Sequence, residues 1–421
     1  MIFVAQKNHQ IDPAKRLTEE AAQREMYEDW EGSFQAYEQL LDSRLQNENQ
    51  SFPDSPAVGN TKSGAQKGLL RCLLKLGRLD SVVNQAYGMS KQDPMHGNDM
   101  HICAELLPYA TEAAWRLGNW PVLDNLVNDL HDESSSDANE RFQLSFGRTM
   151  HSLHAKTQVR MISCLKDSRE SIMSSLSSAA RDGYTRSYPY LMQLHALREV
   201  ESLSSMFFDD QAKFRQRFVD TVSSDQWRDR LEVSTPDITG SNAISNTRLA
   251  LCRMADDPSV EGLMWLDIGK TARKGGLHRV AEHSLIQANV SFYRALNETD
   301  SSLACESIGN VKLQLAKMKH AIGESTSALK LIEDQIPASI FQMDEKQLTS
   351  YFSDRAESGE ATARRILQAT EWIVCDGLKT SSEIKDRYQT VLKLAPNWER
   401  AHFNYAKFLD VISAVEDSGF G

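Results

Sequence analysis

Apolar residues along this chain recur at i, i+3, i+4 and i+7 through almost every stretch between its Gly- and Pro-containing breaks, the spacing of one face of an α-helix. No run of four to eight residues alternates apolar and polar positions with β-branched enrichment, so there is little from which to build a sheet. The clearest breaks are residues 47–64 (Pro53, Pro56, Gly59), 91–98 (Pro94, Gly97), 132–137 (three serines), 235–241 (Pro236, Gly240) and the neighbourhood of Pro337. The pattern predicts an all-α chain, more than two-thirds helix.

A shorter device recurs inside the helical stretches: a helix, a Gly, one spacer residue, a large apolar residue, then another helix. It occurs at Gly32-Ser33-Phe34, Gly77-Arg78-Leu79, Gly118-Asn119-Trp120 and Gly275-Gly276-Leu277, the last opening a helix that carries Val280 and Ala281. Gly can take the left-handed backbone conformation that ends a helix, and the following apolar residue packs back as the next helix begins. Gly32, Gly77, Gly118 and Gly276 are therefore expected in short turns. The intervals Gly32 to Gly77 and Gly77 to Gly118 are 45 and 41 residues, and Gly118 to Gly276 spans 158, close to four units of about 40. Such spacing belongs to tetratricopeptide- or HEAT-like hairpins, which cannot bury an apolar stripe alone and stack into an α-solenoid. The device is poorly expressed over 132–258. The expected layout is an N-terminal extension (1–16), a first half of helical repeats (17–235), an irregular connection (236–258), a second half (259–415) and a tail (416–421).

Charge and candidate chemistry narrow the function classes. Lys plus Arg number 47 against 58 Asp plus Glu, a net charge of −11, which argues against a surface dominated by phosphate contacts to nucleic acid. No uncharged apolar run approaches the ~20 residues of a membrane-spanning helix, and no signal-peptide h-region follows Met1, so the chain is expected to be soluble and intracellular. The six cysteines stand far apart, mostly beside apolar residues, and read as buried free thiols. Gly269-Lys270-Thr271 imitates the tail of a phosphate-binding loop, but the Gly that opens such a loop is missing, positions 264 and 265 being Met and Trp, and the segment reads as mid-helix. His278 and His283, like His96 and His101, are five apart and fall on different helix faces. His151 and His154 share a face but have no carboxylate or Cys ligand nearby in sequence. G-x-S-x-G, G-x-G-x-x-G, H-R-D and D-F-G strings are missing. No residue is assigned a catalytic role, and no cofactor or metal is expected in this chain. The seven tryptophans, Trp30, Trp115, Trp120, Trp227, Trp265, Trp372 and Trp398, read as packing residues at helix ends or on apolar stripes.

Two segments resemble a known family. Met264-Trp265-Leu266-Asp267-Ile268-Gly269-Lys270-Thr271-Ala272-Arg273-Lys274-Gly275-Gly276, continuing through Ala281 to Ala288, resembles the central FAT-domain segment of the phosphatidylinositol-3-kinase-related protein kinases, in which a Trp opens a helix bearing an A-R-K-x-G stretch. Trp398-Glu399-Arg400-Ala401-His402-Phe403-Asn404-Tyr405-Ala406-Lys407-Phe408-Leu409-Asp410 resembles the more specific W-E-x-x-H-F-x-x-A-K-[YF]-x-D signature. Glu112-Ala113-Ala114-Trp115-Arg116-Leu117 and Leu194-His195-Ala196-Leu197-Arg198-Glu199-Val200-Glu201 are similar to segments of the ATR-type DNA-damage checkpoint kinases within that family.

The resemblance implies a non-catalytic helical scaffold in an ATR-like serine/threonine kinase of the nucleus, serving checkpoint signalling and DNA repair. It implies a fragment lacking the kinase and FATC regions, with ATP and Mg needed only by the parent kinase domain. The partners it implies are that kinase domain and either regulatory protein subunits or a second kinase copy, with neither direct nucleic-acid nor membrane contact. From the residues themselves a free-standing helical-repeat adaptor that binds a peptide remains open. Ala281 is expected where a hairpin needs a small side chain for close helix approach.

Overall fold

The computed structural model describes residues 13–48, 56–91, 103–128, 137–208, 217–218, 220–221, 229, 243–299, 302–353 and 358–418. Among the described residues there are 18 α-helices and no strand. The chain divides into two compact units, one ending at Asp256 and one beginning at Asp257.

The first unit contains α1 (Pro13–Met26), α2 (Trp30–Glu48), α3 (Pro56–Lys75), α4 (Leu79–Lys91), α5 (Leu107–Leu117), α6 (Trp120–Asn128), α7 (Ala138–His154), α8 (Gln158–Asp182), α9 (Tyr184–Phe207) and α10 (Ala243–Ala255). Each packs mainly on its neighbours in sequence, with α5 also touching α7 and α10. That mostly local arrangement is what helical hairpins produce when each lays its apolar stripe against the next. The centre is aromatic: Trp115 of α5 meets Phe146 of α7 edge-on at 5.1 Å, and Phe146 stacks on Phe142 at 5.3 Å. The helices α5 and α7 approach closely because position 147 is Gly, where a Cβ would stand 2.2 Å from Thr111 Cγ2.

The second unit contains α11 (Pro258–Lys274), α12 (His278–Thr299), α13 (Ser302–Ile322), α14 (Ser325–Glu333), a 3₁₀ turn (Ala338–Gln342), α15 (Glu345–Ser353), α16 (Gly359–Asp376), α17 (Ser381–Leu394) and α18 (Glu399–Ser418). Here too α11, α12, α13 and α14 pack in order, then α16, α17 and α18, with α16 closing onto α13 and α14. Starts are capped as the sequence dictates. Asp257 Oδ1 accepts from the Ser259 and Val260 amides at 3.1 and 3.3 Å. Thr380 and Glu383 form a capping box on α17.

Gly77, Gly118 and Gly276 lie in turns with φ of +73°, +71° and +80°. Gly32 does not: it sits in the first turn of α2. The left-handed position between α1 and α2 is Glu28, at φ +60°, where the Asp29 and Glu28 amides reach back to the Arg24 and Glu25 carbonyls at 3.0 and 3.1 Å. Gly32 is small for another reason, since a Cβ there would collide with the Asp29 carboxylate, whose Oδ1 accepts from the Gly32 amide at 3.0 Å.

The expected irregular connection at 236–258 is also corrected, because 243–255 form α10. Its Arg248 pairs with Glu199 of α9 at 2.9 Å, both side chains fully buried. Helices extend into three further expected breaks or ends: α1 begins at Pro13, α3 at Pro56, and α18 runs to Ser418. The thiols differ from a uniform buried set, with Cys72, Cys164 and Cys252 buried, Cys103 and Cys305 half-buried and Cys375 exposed. Trp227, His96, His101, Pro94, Gly97, Pro236 and Gly240 lie outside the described residues.

Candidate functional site

Of the segments that carried the resemblance, Glu112–Leu117 and Leu194–Glu201 lie on α5 and α9 of the first unit, and the other two lie in the second unit, on α11, α12 and the start of α18. Helix α11 ends in a paired-bond turn: the Leu277 amide donates to the Ala272 carbonyl at 3.0 Å and the Gly276 amide to Arg273 at 3.1 Å. Leu277 then packs against the small cluster of Ala272, Ala281 and Met318, all buried. The two helices of this hairpin approach over small residues. A Cβ at Gly262 would lie 2.7 Å from Phe292 Cε1, and one at Gly269 would lie 2.8 Å from Leu285 Cγ. Gly269 thus serves helix packing, and its neighbours in the phosphate-loop look-alike are occupied locally. Lys270 Nζ is 3.1 Å from Asp267 Oδ1, and Thr271 Oγ1 donates to the Asp267 carbonyl at 3.0 Å. Trp265 is half-buried, its Nε1–H donating to Glu261 Oε1 at 3.3 Å and its ring meeting His283 edge-on at 6.0 Å.

Trp398 sits just before α18, half-buried against the core formed by Ile366, Ile373, Tyr388 and Val391 among others. The following turn of α18 is tied to α16 through Glu371. Arg400 Nη2 reaches both carboxylate oxygens of Glu371 at 2.9 and 3.1 Å, and Asn404 Nδ2 donates to Oε1. Arg400 and Asn404 are four apart, so one helix face presents both donors. His402 Nε2–H donates to the Pro396 carbonyl at 2.7 Å, which fixes the entry of the chain into α18. Tyr405 and Phe408, on the inner face, each lie 5.5 Å from the Tyr388 ring.

Beside this tie lies a cleft of about 270 Å³ lined by side chains of α11, α13, α16 and the start of α18. Lys270, Lys317, Arg364 and Arg400 face it with one carboxylate, Glu371, while Trp398, Leu313 and Leu367 form its apolar wall. Burial holds the Lys317 ammonium below its ordinary range, and the nearby Arg273, Arg400 and Lys274 add to the depression against the opposing pull of Glu371. Burial likewise lowers Arg273, whose Nε donates to Gln314 Oε1 at 3.1 Å. Three of the four cations are paired with carboxylates, Lys270 with Asp267 at 3.1 Å, Arg364 with Glu360 at 3.7 Å and Arg400 with Glu371 at 2.9 Å, while Lys317 is crowded by its cationic neighbours under partial desolvation. The cleft holds neither a paired acid and base nor an activated nucleophile, and among the described residues no three His, Cys, Asp or Glu side chains converge as metal ligands.

Comparison with known proteins gives this geometry a family. A FAT-domain family model matches residues 107–418. The chain belongs to the FAT-domain family. It is 23% identical over 360 residues to the serine/threonine-protein kinase ATR of Oryza sativa subsp. indica, covering 81% of this chain and 13% of the kinase. The Arabidopsis thaliana kinase of the same name is 24% identical over 357 residues, again 81% of this chain and 13% of the relative. The Arabidopsis serine/threonine-protein kinase TOR is 20% identical over 371 residues, 82% of this chain and 14% of that protein. The chain thus spans roughly an eighth of the length of these kinases.

Within the FAT region the signature residues take structural roles. Gly276 and Ala281 shape the α11–α12 hairpin, and Trp398, Arg400 and His402 anchor the start of α18. In the first unit Gly77 and Gly118 turn their hairpins, and Trp115, Trp120 and His154 pack, the last two stacked at 4.8 Å. His151 turns instead to Asp124, its Nε2 2.8 Å from Oδ1. Sequence reasoning missed Glu371 and Lys317, and it quoted Arg273 and Asn404 within the family-like segments without assigning them a contact. The one signal available was the i, i+4 pair of Arg400 and Asn404, which needed an acceptor 29 residues upstream that only the packing of α16 on α18 supplies. No helix among the described residues is long and apolar enough to cross a membrane.

Proposed function

We propose that this chain is the FAT scaffold of an ATR-like serine/threonine protein kinase, a non-catalytic helical cradle in a polypeptide acting in nuclear DNA-damage checkpoint signalling and DNA repair. One observation supports the reading above others: two plant kinases named ATR align with 81% of the chain at 23–24% identity, against 20% for the TOR kinase. On this reading ATP and Mg²⁺ belong to the kinase portion of the parent polypeptide, where phosphoryl transfer takes place. The scaffold's partners on this reading are that kinase portion together with regulatory protein subunits or a second kinase copy, held by helix surfaces rather than by nucleic-acid contacts.

The test is to immunoprecipitate the endogenous gene product with an antibody raised against residues 257–418. The expected product is several times longer than 421 residues and phosphorylates Ser/Thr substrates, and its loss sensitises cells to DNA-damaging agents. A kinase whose loss changes only growth control would move the assignment to another member of the kinase family. A product of 421 residues without kinase activity that retains protein partners would replace the proposal with a free-standing helical-repeat adaptor.

A further inference from the structure

We draw no further inference here: the strongest candidate, the cationic cleft between α11, α13, α16 and the start of α18, belongs to the site already described, while nothing in the structure shows what covers the exposed apolar row Ile286, Val290 and Tyr293 on α12.

Discussion

The two units solve the same folding problem with different chemistry. Among the described residues of the second, the left-handed turn positions, Gly276, Gly323 and Gly377, are all glycines, and the α11–α12 hairpin closes over Gly262, Gly269, Ala272 and Ala281. In the first, Gly77 and Gly118 share the task with Glu28, Lys156 and Asp256, at φ of +60°, +53° and +54°. The amides at Lys156 and Thr157 make the same backward bonds as those at Gly276 and Leu277, to Leu153 and Ser152 at 3.1 and 2.9 Å. A hairpin turn thus requires a backbone conformation, not a particular residue, and a side chain there costs about 1–2 kcal/mol when the surrounding packing demands it. Both units bury charge: in the first, the Arg248–Glu199 pair takes both partners out of water, whereas in the second Arg387 is buried but its partner Glu333, 3.0 Å away, stays partly exposed.

If buried charge organises α9 and α10, breaking it is the largest single perturbation available. Glu199→Ala should destabilise the first unit by about 3–5 kcal/mol, because Arg248 loses its carboxylate inside the core. Urea unfolding followed by circular dichroism, with hydrogen exchange to localise the loss, checks this. A change under about 1 kcal/mol would make the pair incidental.

Small residues at the α11–α12 contact carry the complementary expectation. Gly269→Val should cost about 1–3 kcal/mol or more through overpacking against Leu285, with the loss confined to the second unit in hydrogen exchange. Turn positions separate glycine from non-glycine turns by sign. Gly276→Ala should lower stability by about 1–2 kcal/mol, whereas Lys156→Gly should leave it unchanged or raise it by up to about 1 kcal/mol. Equal losses at both positions in thermal melts would show that Lys156 contributes through its side chain, not through its backbone.

The smallest effect concerns the cleft. Lys317 has a folded-state pKa below its ordinary value of 10.5, so the folded state binds less proton than the unfolded state between those two values. Stability contributed by this site should therefore rise as pH climbs from the depressed pKa toward 10.5, and below that window the cost of the buried charge stays constant. Lys317→Met should raise the melting temperature at neutral pH and flatten the alkaline rise. A lowered melting temperature would mean that the ammonium is held by favourable contacts.

These contrasts also explain what could be read in advance. The helical class and the hairpins at Gly77, Gly118 and Gly276 were legible, because apolar periodicity and Gly-x-apolar turns are local. The first turn was assigned to Gly32 because the chain offers a glycine there, four residues after the Glu28 that takes the left-handed conformation. Residues 243–255 read as irregular because they follow the Pro236 and Gly240 break in a region where the Gly-x-apolar device is poorly expressed. The cleft was illegible for a different reason: its cations come from four helices spread over Lys270 to Arg400, and only packing brings them together.

The most direct test of a packing-based scaffold is Ala281→Leu in the full-length gene product, assayed for phosphorylation of a generic substrate beside a thermal melt. Ala281 is fully buried against Ala272 and Met318, so three added carbons should cost about 1–3 kcal/mol and displace α12 from α11. If the chain is the kinase scaffold proposed above, the account predicts altered basal or activated kinase output with every catalytic residue intact. Unchanged kinase activity alongside a clearly lowered melting temperature would contradict it.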